Sequence, residues 1–147
     1  MADEILKEHP QRFAVKATAD SHFSWLRTRF SLERTLMSWV RTAVSLIGFG
    51  FTIVQFFERL ASMEGVAAAQ RPQAPRYIGL SLIAAGVVSL LISLWQYHST
   101  LTYLWQSDFR PIAGAKESPV RTPLFAVAVG LTVIGLLAFV SVFVRAV

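Results

Sequence analysis

Three arginines recur at seven-residue intervals around the start of the first apolar stretch of this sequence: Arg27, Arg34 and Arg41. At about 100° per residue, positions seven apart lie nearly on one line along an α-helix. A guanidinium group binds phosphate or carboxylate through paired hydrogen bonds and stays charged at any physiological pH. The spacing therefore predicts a line of anion-binding groups on one face of a helix.

From Arg34 onward the same line continues with small polar residues and glycine, at alternating spacings of four and three positions. We call this set the polar stripe, and its members are Arg27, Arg34, Ser38, Arg41, Ser45, Gly48, Thr52 and Gln55. The opposite side of the helix is apolar and suits lipid, with Leu36, Val40, Val44, Ile47, Phe51 and Val54. An arginine facing lipid near the bilayer centre costs at least about 2.5–3.5 kcal/mol. The stripe therefore favours a protein interior or a wet cavity on its side.

A second interpretation of the stripe needs no cavity. Arg34 and Arg41 can extend to the headgroups as basic anchors at the end of a span. The hydroxyls of Ser45 and Thr52 can bond to their own helix, and Gln55 can reach the headgroups on the other side.

One chain cannot enclose the stripe, because the interior between three packed helices is too narrow to hold two arginine side chains. More than one copy of the chain is needed. Several copies around an axis would stack the arginines into rings, as anion-selective pores do. Like charges around a ring repel, so the rings must bind an anion or carboxylates. Glu33 lies about 100° from Arg34 on the helix, where it is an ion-pair candidate facing a neighbouring helix or subunit. Its alternative role is a solvated charge at a helix start.

The helices that position these groups come from three stretches without Asp, Glu, Lys or Arg: Thr42–Phe57, Tyr77–Ser107 and Thr122–Val144. A helix needs about 20 mostly apolar residues to cross a bilayer core. The charged fraction of 16% is low, and the mean hydropathy is +0.49. A core able to bury the third stretch, 23 residues long, exceeds what a soluble chain of 147 residues can build. We predict an all-α membrane protein with three transmembrane helices per chain in an oligomeric helical bundle.

The domain prediction is a cytoplasmic N-terminal segment at 1–23 followed by a three-helix transmembrane domain at 24–147. The spans are predicted near 36–57, 77–98 and 122–144. The first span requires one continuous helix from about Ser24 to Phe57, and the second continues into water as a helix. Small residues seven positions apart in the second span, Gly79, Gly86 and Ser93, are typical of close helix packing.

Basic residues predict the orientation of the three spans. Of the 14 Lys and Arg residues, ten lie on the side of the N-terminus and the second loop, and four lie on the other side. The positive-inside rule then places the N-terminus in the cytoplasm and the C-terminus outside the cytoplasmic (inner) membrane.

No residue pattern supports catalysis or a cofactor. The sequence has no cysteine, and its histidines, His9, His22 and His98, have no partner at metal-ligand spacing. Phosphate-loop, nucleophile-elbow and zinc-protease motifs are absent, and the basic residues sit beside spans rather than in a nucleic-acid patch. We expect that the protein is not an enzyme, that it has no cofactor or metal site, and that it does not bind nucleic acid. The expected partners are membrane lipid, further copies of the chain and a phosphate-rich anion.

Residues Phe30–Thr42, which read FSLERTLMSWVRT, resemble the signature of the YidH-like family of small three-span membrane proteins, long a domain of unknown function. The same core resembles the small three-helix subunit of the fungal vacuolar transporter chaperone complex. That resemblance implies five copies around a polyphosphate channel lined by basic residues. It implies lining roles for Arg27 and Arg34, an acidic partner in Glu33, and a second basic ring at Arg121.

Two functions are compatible with these features. The first is an oligomeric membrane channel or translocation subunit for an anion, with polyphosphate as a candidate substrate. The second is a non-transporting membrane scaffold or regulatory subunit, in which the Arg/Glu core serves assembly or binds lipid phosphates.

Overall fold

The computed structural model describes residues 16–63, 73–106, 109–114 and 122–145. Over these ranges the chain forms four helices and no strand: α1 (Ala19–Ala61), α2 (Ala74–Leu104), the short α3 (Arg110–Ala113) and α4 (Pro123–Val144). α1, α2 and α4 are long and apolar enough to cross a membrane. The predicted all-α fold with three transmembrane helices is thus confirmed. Residues 1–15, which include His9, and Arg121 lie outside the described residues.

α1 is one continuous helix, and it is longer than the sequence pattern indicated. Its 43 residues extend about 65 Å at about 1.5 Å per residue, roughly twice the thickness of a bilayer core. It begins at Ala19 because Thr18 caps it. The Thr18 hydroxyl accepts a hydrogen bond from the backbone N–H of Ser21, and the Ser21 hydroxyl accepts one from the N–H of Thr18. This reciprocal cap starts the helix several residues before Ser24.

α1 and α2 run antiparallel with their backbones in near contact. A Cβ atom added at Gly50 or at Gly79 would lie 2.6 Å from the other residue's carbonyl oxygen, and one at Gly86 would lie 2.9 Å from the carbonyl oxygen of Ala43. Backbones approach this closely only where there is no side chain between them. The predicted packing role of Gly79 and Gly86 is confirmed, and Ser93 is buried on the same helix.

α4 runs beside α1 in the same direction. Near its start Leu124 packs against the cluster that contains Leu36. Further along, a Cβ at Gly135 would lie 2.9 Å from the side chain of Ile47. Pro123, the first residue of α4, is therefore roughly level with Leu36. The membrane-crossing part of α1 starts near that level, and the earlier turns of α1 extend beyond the span.

The core of the bundle is apolar and uses the face of α1 opposite the polar stripe. Along the span the buried residues of α1 are Leu36, Val40, Ala43, Gly50 and Val54. They pack against α2 and α4 in two clusters that also contain Ile83, Leu90, Ala128 and Val142.

The apolar face, which the sequence showed to be suited to lipid, is divided between the interior of the bundle and the outside of the chain. Leu36, Val40 and Val54 are buried within the chain, whereas Val44 and Phe51 are exposed. Two apolar helices of the same chain compete with lipid for this face, and close packing against them adds contacts that lipid cannot match.

Replacing Gly50 by alanine should destabilise the bundle, because the added Cβ would meet the backbone of α2. We expect a loss of about 1–3 kcal/mol, the range for overpacking, measured as a lower unfolding temperature in detergent. The matched control is Gly48→Ala in the same helix, where nothing lies within 4 Å. Equal unfolding temperatures for the two variants would contradict the close approach of α1 and α2.

Candidate functional site

The polar stripe lies on the outside of the single chain. Every member from Arg27 to Thr52 is exposed, and Gln55 is half-buried. A Cβ at Gly48, near the middle of the stripe, would have no neighbour within 4 Å. The structure thus brings the predicted residues together in one continuous line on α1, and none of the other helices in the described residues covers that line.

Two hydroxyl groups of the stripe, those of Ser45 and Thr52, are satisfied by α1 itself. Ser45 donates to the carbonyl oxygen of Arg41 at 3.0 Å, and Thr52 donates to that of Gly48 at 2.8 Å. Bonds of this kind let serine and threonine sit in an apolar environment at little cost. The arginines and Gln55 are the larger polar groups of the stripe, and they still need polar surroundings. In the described part of the chain, Arg27, Arg34 and Arg41 have no ion-pair partner.

An open groove of about 480 Å³ borders the stripe between α1 and α4. It is lined by Phe30, Glu33, Arg34, Met37, Ser38, Arg41 and Leu124. Arg34 and Arg41 are about 10.5 Å apart along the helix axis. Arg34 lies at the edge of the span, and Arg41 lies roughly one and a half turns deeper than Leu36. The groove therefore combines two unneutralised guanidinium groups with apolar walls, and we call it the basic groove.

The groove on the other side of α1 is different. It lies between α1 and α2, has a volume of about 240 Å³, and carries no charged side chain. Its lining is Leu32, Thr35, Leu36, Trp39, Ser93, Gln96, Tyr97 and Thr100. Of these two grooves, the basic groove is the one that offers an anion a charged partner.

Glu33 contributes to the basic groove, but its ion pair within the chain is with Arg29. The Arg29 Nε and a Glu33 carboxylate oxygen are 3.9 Å apart, and both side chains are about three-quarters buried, at 24% and 25% exposure. The Arg29 guanidinium also lies 5.9 Å from the ring centroid of Trp25. Sequence reasoning linked Glu33 to the stripe arginines or to a neighbouring subunit. In the single chain it neutralises a basic residue outside the stripe.

The part of α1 beyond the span is held by the end of α2 and by α3. The Trp25 indole N–H donates to the carbonyl oxygen of Leu104 at 3.1 Å, and its ring packs edge-on against Trp105. The His22 Nδ1 lies 2.7 Å from the carbonyl oxygen of Ile112, which requires Nδ1 to donate. His22 therefore has a structural partner that its sequence context did not reveal. These contacts fix the helix that carries Arg27.

The start of α4 is fixed at the same end of the bundle. The hydroxyl groups of Tyr97 and Thr122 are 3.0 Å apart, and the Tyr97 ring stacks on Phe125. Arg121 precedes Thr122 in the sequence, and its role as a second basic ring stays a prediction.

The line of the polar stripe continues past Gln55, the last residue predicted from the sequence, to Arg59. Arg59 follows Gln55 by four positions, which continues the four-and-three spacing, and it is exposed. The prediction ended the helix at Phe57, whereas α1 continues to Ala61. The same periodicity would have included Arg59 had the helix been extended by one turn.

A family model described as "Domain of unknown function (DUF202)" matches residues 27–103, more than half of the chain. The chain belongs to the DUF202 family. This is the YidH-like family of small membrane proteins, so the resemblance carried by Phe30–Thr42 is confirmed. No curated protein and no solved structure matches the chain.

The DUF202 match covers the whole polar stripe and nearly all of α2, while α4 lies outside it. Family membership and three apolar helices together make the chain a multi-pass membrane protein.

Replacing Trp25 by phenylalanine should loosen the part of α1 beyond the span. The variant keeps an aromatic ring but loses the hydrogen bond to Leu104, worth about 0.5–1.5 kcal/mol. We expect amide hydrogen exchange in residues 16–30 to speed up roughly two- to twelvefold, with little change in the span. Trp39→Phe is the matched control, because Trp39 is 44% exposed. Equal exchange rates in the two variants would show that the Trp25 bond does not hold this segment.

Proposed function

We propose that this DUF202 chain is a subunit of an oligomeric membrane channel or translocation pathway for anions. The observation that carries the proposal is the polar stripe. It follows the membrane-crossing part of α1, and no other helix in the described part of the chain packs over it. Arg41 lies inside the span, about 7.5 Å further along the helix axis than Leu36. A guanidinium group that faces lipid at this depth must either extend to the headgroups or bear part of a cost that reaches about 2.5–3.5 kcal/mol at the bilayer centre. A polar environment supplied from outside the chain removes that cost.

Further copies of the same chain can supply this environment. α2 and α4 occupy the apolar face of α1, so α1 lies at the edge of each chain with the stripe outermost. Copies arranged around an axis with α1 innermost bring their stripes together along one path. The arginines then form rings at successive depths, as in anion-selective pores. The resemblance of the signature to the fungal vacuolar transporter chaperone subunit favours a pentamer.

The proposed ligand is a phosphate-bearing anion. The guanidinium fork matches two phosphate oxygens, and an extended anion can contact the Arg34 and Arg41 rings together. The resemblance favours polyphosphate within this class. However, the fungal subunit has a basic residue after a Tyr-His pair, where this chain has Ser99 and Thr100. The proposal therefore covers the class of phosphate-bearing anions.

We place the protein in the cytoplasmic membrane with its N-terminus inside, because ten of its 14 basic residues then lie on the cytoplasmic side or, in the case of Arg41, in the cytoplasmic half of the span. Arg27 and Arg34 are then at the cytoplasmic mouth of the path, and Arg121 before α4 is the candidate for a second ring there. This role needs no catalytic residue, cofactor, metal or nucleic acid.

Removing both span arginines should abolish anion flux. The double variant Arg34→Ala, Arg41→Ala is reconstituted in liposomes, and efflux of chloride and inorganic phosphate is measured against the unaltered protein. The control removes the same charge from two exposed sites off the stripe, Arg110→Ala with Lys16→Ala. We expect near-normal flux from the control. Unchanged flux in the double stripe variant would refute the channel.

The purified protein in nanodiscs should form a symmetric ring with α1 innermost. Particle imaging measures the copy number and shows which helix faces the axis. A monomer, or a closed dimer with the stripes at the lipid boundary, would contradict the proposal and leave the arginines as interface anchors.

A specific observation also favours the scaffold function as a second candidate. Ser45 and Thr52 satisfy their hydroxyls within α1, and Arg34 lies at the edge of the span where it can reach lipid phosphates. In this case the basic groove binds headgroups and nothing is transported. An assembly whose axis is filled by lipid or side chains, with no continuous wet path, would favour this function over the channel.

A further inference from the structure

The last turn of α1 lies on the side of the membrane opposite the N-terminus. It carries a positive charge that has no role in the function proposed above. Arg59 lies in the last turn of α1 and continues the line of the polar stripe. About 27 Å separate Arg41 and Arg59 along the helix axis, close to the thickness of a bilayer core. The stripe therefore has arginines at both ends of the span and only uncharged residues between them.

The neighbouring carboxylate does not neutralise Arg59. Glu58 pairs with Arg76 of α2 and with Arg145 at the end of α4, each at 3.7 Å. Arg59 has no ion pair in the described part of the chain. Among the described residues at this end, the one carboxylate, Glu58, pairs with two arginines, Arg76 and Arg145. Arg59 is left without a counter-charge among them.

Contacts on either side of Arg59 in the sequence fix its backbone, whereas its side chain is exposed. The Glu58 ion pairs connect the ends of α1, α2 and α4. Ser62 closes the helix, because its hydroxyl donates to the carbonyl oxygen of Arg59 at 2.7 Å and its N–H donates there at 3.2 Å. The exposed guanidinium therefore projects from a fixed last turn.

We propose that Arg59 forms the far mouth of the anion path. The inference rests on the proposed channel, because it requires the stripes of several copies to face one axis. A ring of Arg59 side chains concentrates anions at that mouth. The uncharged stretch from Ser45 to Gln55 holds them only weakly, so an anion held at one end can move to the other.

A simpler role for Arg59 is a favourable interaction with the carboxyl end of the helix, as is usual for a basic residue in a last turn. That role changes the stability of α1, but it leaves anion conduction the same in both directions. Conduction measured from each side therefore separates the two roles.

The experiment measures currents of chloride and inorganic phosphate through the reconstituted full-length protein in a planar bilayer. Arg59→Gln removes one positive charge at the mouth. Ala61→Glu makes the same charge change at an exposed site on the opposite side of the last turn, and Arg59→Lys keeps the charge. Because the sequence has no cysteine, Met63→Cys in every variant lets an impermeant thiol reagent report which side is the far side.

Arg59→Gln should lower the anion current that enters from the far side by roughly three- to tenfold at low salt, while current from the other side changes less. The asymmetry should fade towards 1 M salt, where the screening length is about 3 Å. Arg59→Lys and Ala61→Glu should behave like the unaltered protein.

Equal currents from the two sides in Arg59→Gln would refute the role of Arg59 as the far mouth, and so would an equal loss of current in Ala61→Glu. The channel itself would still stand if the Arg34→Ala, Arg41→Ala variant blocks conduction. Absence of any anion current in the unaltered protein would refute the channel, and the Arg59 mouth with it.

Discussion

The close contact between α1 and α2 determines which side of α1 remains outside the bundle. Gly50 and Gly79 bring the two backbones so near that a single added Cβ would collide with a carbonyl oxygen. A rotation of α1 about its own axis would place side chains in this contact, so the buried arc of the helix is restricted to one orientation. The polar stripe lies on the opposite arc. Its exposure therefore follows from glycine packing as much as from the arginines themselves.

The unequal lengths of the helices place the arginines in two environments. α4 has 22 residues, which suit one crossing, whereas α1 has 43 and α2 has 31. The additional turns of α1 and α2 extend beyond the span on the same side of the bundle. There Trp25 and His22 of α1 bond to the end of α2 and to α3. Arg27 lies on this docked extension, and Arg41 lies within the span. The path in our proposal thus starts on rigid helix outside the bilayer, which limits the entropy lost when an anion binds.

Within the described residues, two glutamates beside the bundle are engaged by basic residues outside the stripe. Glu33 pairs with Arg29, and Glu58 pairs with Arg76 and Arg145. Partly exposed pairs such as these contribute only about 0–1 kcal/mol each to stability. Their larger effect is on the electric field, because they leave the stripe arginines without a counter-charge. The positive charges of Arg27, Arg34, Arg41 and Arg59 are therefore left along one face of α1, where they can attract an anion or a phosphate headgroup.

The sequence alone determined the features that depend on period and composition. Uncharged runs longer than about 20 residues predict membrane helices, the four-and-three spacing defines the polar stripe, and Phe30–Thr42 indicates the family. Periodicity describes the faces of a helix but not their partners. Lipid and a neighbouring helix are both apolar, so the face containing Leu36 and Val54 is compatible with either. The tertiary structure assigned it to the bundle and also decided the pairing of Glu33 and the extent of α1. The packing of that face depends on distances between residues far apart in sequence, which a helical repeat does not encode. Arg29 and Glu33 are four positions apart, and the capping pair Thr18 and Ser21 is three apart. Helical spacing permits both contacts, but it does not decide which of the permitted partners is used.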